Sequence, residues 1–151
     1  MVRPVIETGT AGFAFGAEIS GIGQPPLAPA MLGEIVAAFE AHGVLILRFG
    51  ALDGQQHVLV GKQLADAMGS TLEGSAPSQG GGRAQPNLSV VTNMASEGGI
   101  LPASHPSLAA VVGAQFWHSD GSFRPVPSHA SIVHCPVPVP LGRGGETAFV
   151  S

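Results

Sequence analysis

A chain of 151 residues with 44% apolar side chains has the length of one domain and material for a core, so it is no disordered polymer of low hydrophobicity. A net charge of −4, a pI near 5.8 and a single lysine, Lys62, argue against binding the nucleic-acid backbone. The absence of any run of about 18 apolar residues argues against a membrane span.

The first residues, MVRPVIETGTAGFAFG, lack the basic start and apolar run of a signal peptide. The single cysteine, Cys135, leaves no internal disulfide and fits a reducing compartment, so a cytoplasmic protein is expected. Cys135 itself reads as a small buried side chain on a strand. Charged residues are only 11%, fewer than a free-standing domain usually shows, so part of the surface is expected to lie against something else.

In chain order, FAFGAEISGI (13–22) has the pattern of strand–turn–strand. PAMLGEIVAAFEAHG then places Leu32, Ile35, Val36 and Phe39 on one face of an amphipathic helix, with Pro29 in its first turn and Gly43 at its C-terminal cap. VLILRF (44–49) is a continuous apolar run, expected as a strand buried on both faces. Asp53 with Gln56 three residues on makes a capping box, opening a second helix with Val60, Leu64 and Met68 on its inner face and Gly69 at its end. Residues 70–87 are rich in Gly, Ser, Pro and Gln and read as a loop.

LSVVTNM (88–94) returns to strand character, and SEGG (96–99) opens another polar loop. HASIVHC (129–135) reads as a strand, PVPVP (136–140) as an extended edge segment, GRGG (142–145) as a turn and ETAFVS (146–151) as a further strand. A sheet still gaining strands at Ser151 expects a partner for its last edge. That partner is either a longer chain or a second copy in a homo-oligomer.

The segment FWHSDGSF (116–123) carries the chemistry. In an extended stretch His118 and Asp120 point to the same side, where an imidazole nitrogen and a carboxylate oxygen reach one metal ion. On spacing alone, a hydrogen-bonded surface pair is the commoner meaning of His-x-Asp. His42, His57, His105, His129 and His134 show no ligand spacing to each other. Thr147 by itself is an ordinary strand former, Asn93 an ordinary turn cap, and Trp117 and Phe123 ordinary core residues.

Taken together, four segments resemble the taurine / 2,4-dichlorophenoxyacetate dioxygenase family of iron- and 2-oxoglutarate-dependent oxygenases. They are FGAEISGI with the following helix and HGVLILRF; VVTNM; FWHSDGSF with its P-x-P; and GRGGETAFVS. They stand in family order across nearly the whole chain. The resemblance implies an α+β, mainly β fold. This is the N-terminal part of a double-stranded β-helix (jelly-roll, cupin-like) with two flanking helices and an incomplete sheet, forming a single partial domain over residues 1–151.

It further implies that His118 and Asp120 are two ligands of a 2-His-1-carboxylate Fe(II) site. Thr147 would bond the 2-oxoglutarate carboxylate, Asn93 would line the co-substrate and substrate side, and Trp117 and Phe123 would pack around the metal segment. The implied reaction uses O2 to hydroxylate a small organic acid and decarboxylates 2-oxoglutarate.

The family's second histidine, and the arginine that pairs the distal carboxylate of 2-oxoglutarate, come later than the fourth motif. His129 and His134 follow Asp120 too closely for the first role, and Arg124 and Arg143 are misplaced for the second. Residues 1–151 alone are therefore expected not to turn over. Two other readings stand beside this one: a non-catalytic remnant or partner-dependent half-domain, and a metal-dependent hydrolase using His118 and Asp120. The hydrolase would call for more ligands clustered nearby.

Overall fold

The computed structural model describes residues 5–8, 15–71, 88–95, 97–106, 108–122, 124–136, 139, 140, 142, 143 and 147–150. The chain divides into two compact units, one of Met1–Thr71 with Val133–Ser151 and one of Leu72–Ile132.

In the first unit, β1 (Val5–Thr8) pairs antiparallel with β2 (Ala17–Ser20), and β2 pairs parallel with β3 (Leu45–Leu47) in the order β1-β2-β3. Parallel neighbours need a crossover, and α1 (Pro29–His42) supplies it, packing on β2, β3 and α2 (Gly54–Ala67). Of the two strands expected within residues 13–22, the described residues 15–22 show one. The pleat runs from Ala17 to Ser20, and its antiparallel partner is the earlier segment Val5–Thr8.

Local chemistry sets the helix ends. Pro29 occupies the first turn of α1, where its missing N–H leaves no bond unmade. At the far end Gly43 adopts φ 71 and donates its N–H to Phe39 O at 2.8 Å, a conformation that costs a residue with Cβ far more. The capping box at α2 is reciprocal. Gln56 N donates to Asp53 Oδ1 at 2.8 Å, and Asp53 N donates to Gln56 Oε1 at 2.9 Å.

Ile19, Ile22, Leu27, Ile35, Ala38, Val60 and Leu64 form the core, with Ile19 and Val60 fully enclosed. The inner face of α1 is thus centred on Ile35 and Ala38, while Leu32, Val36 and Phe39 of the expected stripe are half-buried. In α2, Val60 and Leu64 are buried as expected, and Met68 is half-buried at the C-cap.

Two polar contacts invisible in the sequence pattern lock this unit. The Gln63 side chain accepts from Leu27 N at 2.9 Å and donates to Leu27 O at 3.0 Å, satisfying both backbone groups of a buried residue. Arg48 grips Glu18 with two bonds, Nε to Oε1 at 2.8 Å and Nη2 to Oε2 at 3.0 Å.

Four expectations are corrected. Residues 44–49 are not buried on both faces: Ile46 is 43% exposed, because β3 is the last strand of the order and no described element covers the Ile46 side. The chain is not mainly β among the described residues, where strands of 4, 4 and 3 residues stand beside helices of 14, 14 and 6. Residues 129–135 and 147–150 carry no strand pairing among the described residues, and Met94 contributes an isolated bridge to Ile100. A strand exists only as a member of a ladder, so a strand-like composition without a paired neighbour stays irregular. Finally, Cys135 is exposed rather than buried, following from the same missing ladder.

The loop residues 72–87, Phe123, the turn residues 144 and 145, and Glu146 and Ser151 of the last expected strand lie outside the described residues. Among the described residues no helix is long and apolar enough to cross a membrane.

Candidate metal centre

His118 and Asp120 belong to the second unit and follow its short helix α3 (Leu108–Gly113). Gln115 N bonds Val112 O and Phe116 N bonds Gly113 O, both at 3.1 Å, so the chain leaves the helix through a tight turn. Trp117, His118 and Ser119 then run without regular structure into a turn at Asp120, Gly121 and Ser122. Gly121 has φ 66, and its carbonyl accepts from Arg124 N at 3.1 Å.

This path brings the two side chains together. His118 Nε2 stands 3.2 Å from Asp120 Oδ1, with the side chains 50% and 57% exposed. On the other edge of the ring, His118 Nδ1 lies 2.7 Å from Phe116 O. A carbonyl only accepts, so Nδ1 carries the hydrogen, and a neutral His118 then turns a lone pair from Nε2 toward the carboxylate. Two acceptors at this distance are joined only by a proton or a cation.

The donor set fits a divalent ion of the N,O-preferring kind. Two cis ligands with metal bonds of about 2.1 Å lie roughly 3.0 Å apart, close to the observed bite. A backbone carbonyl holding the second ring nitrogen is the usual way a ligating imidazole is oriented. Among the described residues there is no cluster of three or more His, Cys, Asp or Glu side chains that could hold a metal ion.

The other expected site residues fall as follows. Asn93 is exposed in the same unit, where its carbonyl accepts from Leu101 N at 2.8 Å and closes a small hairpin. The hairpin is completed by the Met94–Ile100 bridge and by Ala95 N to Gly99 O at 3.0 Å. Thr147 is exposed and outside regular structure, and it falls in the first unit. Trp117 does not pack as a core residue: it is 70% exposed, with Phe116 beside it at 73%. With no apolar cluster closing over this segment among the described residues, both rings stay at the surface.

Sequence spacing also missed a histidine pair. His57 and His134 stack edge-on in the first unit, with ring centroids 5.4 Å apart. Nothing local could have found it, since one lies on α2 and the other 77 positions later in an irregular stretch. A hollow of about 60 Å³ in the same unit is lined by Phe15, Gly16, Ala17, Glu18, Val44, Ile46 and Phe149. It is apolar and too small for a dicarboxylate, so it is no rival to the His118–Asp120 pair as a reaction centre.

Comparison with known families decides the lineage. The family described as Taurine catabolism dioxygenase TauD, TfdA family matches residues 6–151. The chain belongs to the TauD/TfdA family. This agrees with the resemblance carried by the four segments, and the family is one of dioxygenases. No curated protein and no solved structure matches the chain significantly.

Proposed function

We propose that this TauD/TfdA chain contributes to an Fe(II)- and 2-oxoglutarate-dependent dioxygenase that hydroxylates a small organic acid. One observation carries the reading: an imidazole and a carboxylate 3.2 Å apart, the imidazole tied by its other nitrogen to a backbone carbonyl, in the segment that resembles the family's W-H-x-D motif.

In this reading His118 and Asp120 are two protein ligands of the metal. The Phe116 carbonyl holds the His118 ring by its Nδ1 proton, so that Nε2 faces the ion. Asp120 supplies one negative charge against the divalent cation and leaves its second oxygen to accept a hydrogen bond. For Thr147 and Asn93 the support is the family resemblance alone, which assigns Thr147 to a 2-oxoglutarate carboxylate and Asn93 to the co-substrate and substrate side. Iron(II), when bound, supplies the redox chemistry that couples O2 and 2-oxoglutarate decarboxylation to hydroxylation. A further ligand completes the set from outside the pair, because two protein ligands hold a labile divalent ion more weakly than three.

One observation favours a second reading, a partner-dependent half-domain. Both ligand side chains are at least half exposed, and among the described residues no third ligand stands beside them. A centre so open binds metal without excluding water, and turnover then waits on a further segment or chain.

The test is anaerobic titration of the protein with Fe(II) and 2-oxoglutarate, followed by succinate release on admitting O2. The dioxygenase reading expects a visible charge-transfer band that Asp120→Ala abolishes. Metal binding without band or succinate supports the half-domain reading. No His118-dependent metal binding at all overturns both.

A further inference from the structure

We propose that Gly121 and Ser128 form a positioning contact that holds the His118–Asp120 pair at its chelating distance, which makes Gly121 necessary for metal binding although it is not a ligand. The proposal rests on the metal reading of that pair.

Gly121 follows Asp120 directly, and Ser128 returns to press on it. A Cβ placed on Gly121 would lie 2.5 Å from Ser128 Oγ, 3.2 Å from Ser128 Cβ and 3.3 Å from Ser128 N. The hydroxyl is able to rotate away; the Cβ and the backbone nitrogen are not. Any side chain at 121 therefore has to move one of two backbone segments. The segment carrying Ser128 resists, because Pro125 and Pro127 fix two of its φ angles. The segment carrying Asp120 yields more easily, since it is exposed and its turn closes through a bond from Arg124 N to Gly121 O with no proline of its own to fix it.

His118 is meanwhile held from behind by the Phe116 carbonyl. One ligand is thus fixed by a hydrogen bond and the other by close packing against a glycine. Moving Asp120 alone opens the 3.2 Å bite, because His118 does not follow. The φ of 66 at Gly121 adds a second reason for glycine, and the experiment separates the two.

The chain supplies its own probe. Trp117 is the only tryptophan and adjoins His118, so a paramagnetic ion such as Co(II) bound there quenches its fluorescence. Co(II) titrations on the full chain are compared for wild type, His118→Ala, Gly121→Ala and the double variant Gly121→Ala with Ser128→Gly, with circular dichroism to check folding. We expect saturable quenching in wild type and its loss in His118→Ala. Gly121→Ala should weaken affinity about tenfold, the usual scale for a lost outer-shell support.

Removing Ser128 Oγ and Cβ should restore much of that loss. Wild-type affinity in Gly121→Ala overturns the proposal, and so does a double variant no better than the single, which would assign the loss to backbone strain alone. If Gly121→Ala does not fold, Ser128→Val crowds the same contact while leaving glycine in place. Tenfold weaker binding there supports the contact and unchanged binding overturns it. Absence of any His118-dependent quenching in wild type removes the metal reading and this proposal together. Quenching that Gly121→Ala leaves unchanged removes only the proposal.

Discussion

In the first unit Ile19 and Val60 are fully enclosed, whereas in the second Trp117, His118 and Asp120 all stand half or more in solvent. One region is held by apolar side chains from a sheet and two helices. In the other, the candidate ligands are set by backbone: a turn leaving α3, a carbonyl behind an imidazole, and a glycine under a serine. Stability and chemistry therefore depend on different kinds of residue, and substitutions separate them.

His118→Ala should divide the two most sharply. It removes half of the donor pair, so divalent-metal binding is lost, while an exposed side chain leaves stability within about 0.5 kcal/mol. Metal titration and urea denaturation of the same preparation read both outcomes. Retained metal binding would assign the ligand role elsewhere.

Ile19→Ala is the converse. Emptying a fully enclosed site on β2 should cost about 2–5 kcal/mol, read as a lower urea midpoint at unchanged slope. A cost below about 1 kcal/mol would mean that this core is far looser than its burial implies.

Asp53→Ala tests whether the local signal at α2 is structural. One carboxylate bond to Gln56 N is lost and the reciprocal bond loses its partner geometry, for about 1 kcal/mol of stability by thermal unfolding.

Glu18→Gln is the smallest and is best seen as a pH effect. The hydrogen bond from Arg48 holds the Glu18 carboxyl below its ordinary range; desolvation opposes it, and the guanidinium charge adds a lesser lowering. A lowered carboxyl contributes stability at neutral pH that disappears as the pH falls through its folded value. Wild type should therefore lose more stability in acid than Glu18→Gln, and the two curves should converge at the acid end. Because Arg48 is largely exposed, the separation at neutral pH is modest.

What the sequence revealed was what local chemistry dictates. Asp53 with Gln56, Pro29 and Gly43 mark helix ends through contacts spanning at most four residues, and each holds in the structure. The helical stripe was legible to within a slight rotation: it is centred on Ile35 and Ala38. The parallel pairing of β2 with β3, the Gln63 clasp and the His57–His134 contact join distant positions and leave no periodicity to find. At the candidate site the His118–Asp120 spacing was visible, whereas the Phe116 carbonyl behind it is a backbone group that any residue supplies. Residues 129–135 and 147–150 misled for a related reason, since alternating apolar residues describe a surface suited to a ladder and not the ladder itself.

The Gln63 clasp bears on the order in which the chain assembles. Its amide holds both backbone groups of Leu27, two residues before α1 begins, from a position 36 residues further on. During synthesis the entry to α1 therefore emerges well before the group that pins it. The crossover between β2 and β3 can collapse early, but its angle of entry is set only once the second half of α2 has been made. The contact that fixes the entry to α1 thus comes from a residue made after the whole of that helix and of β3.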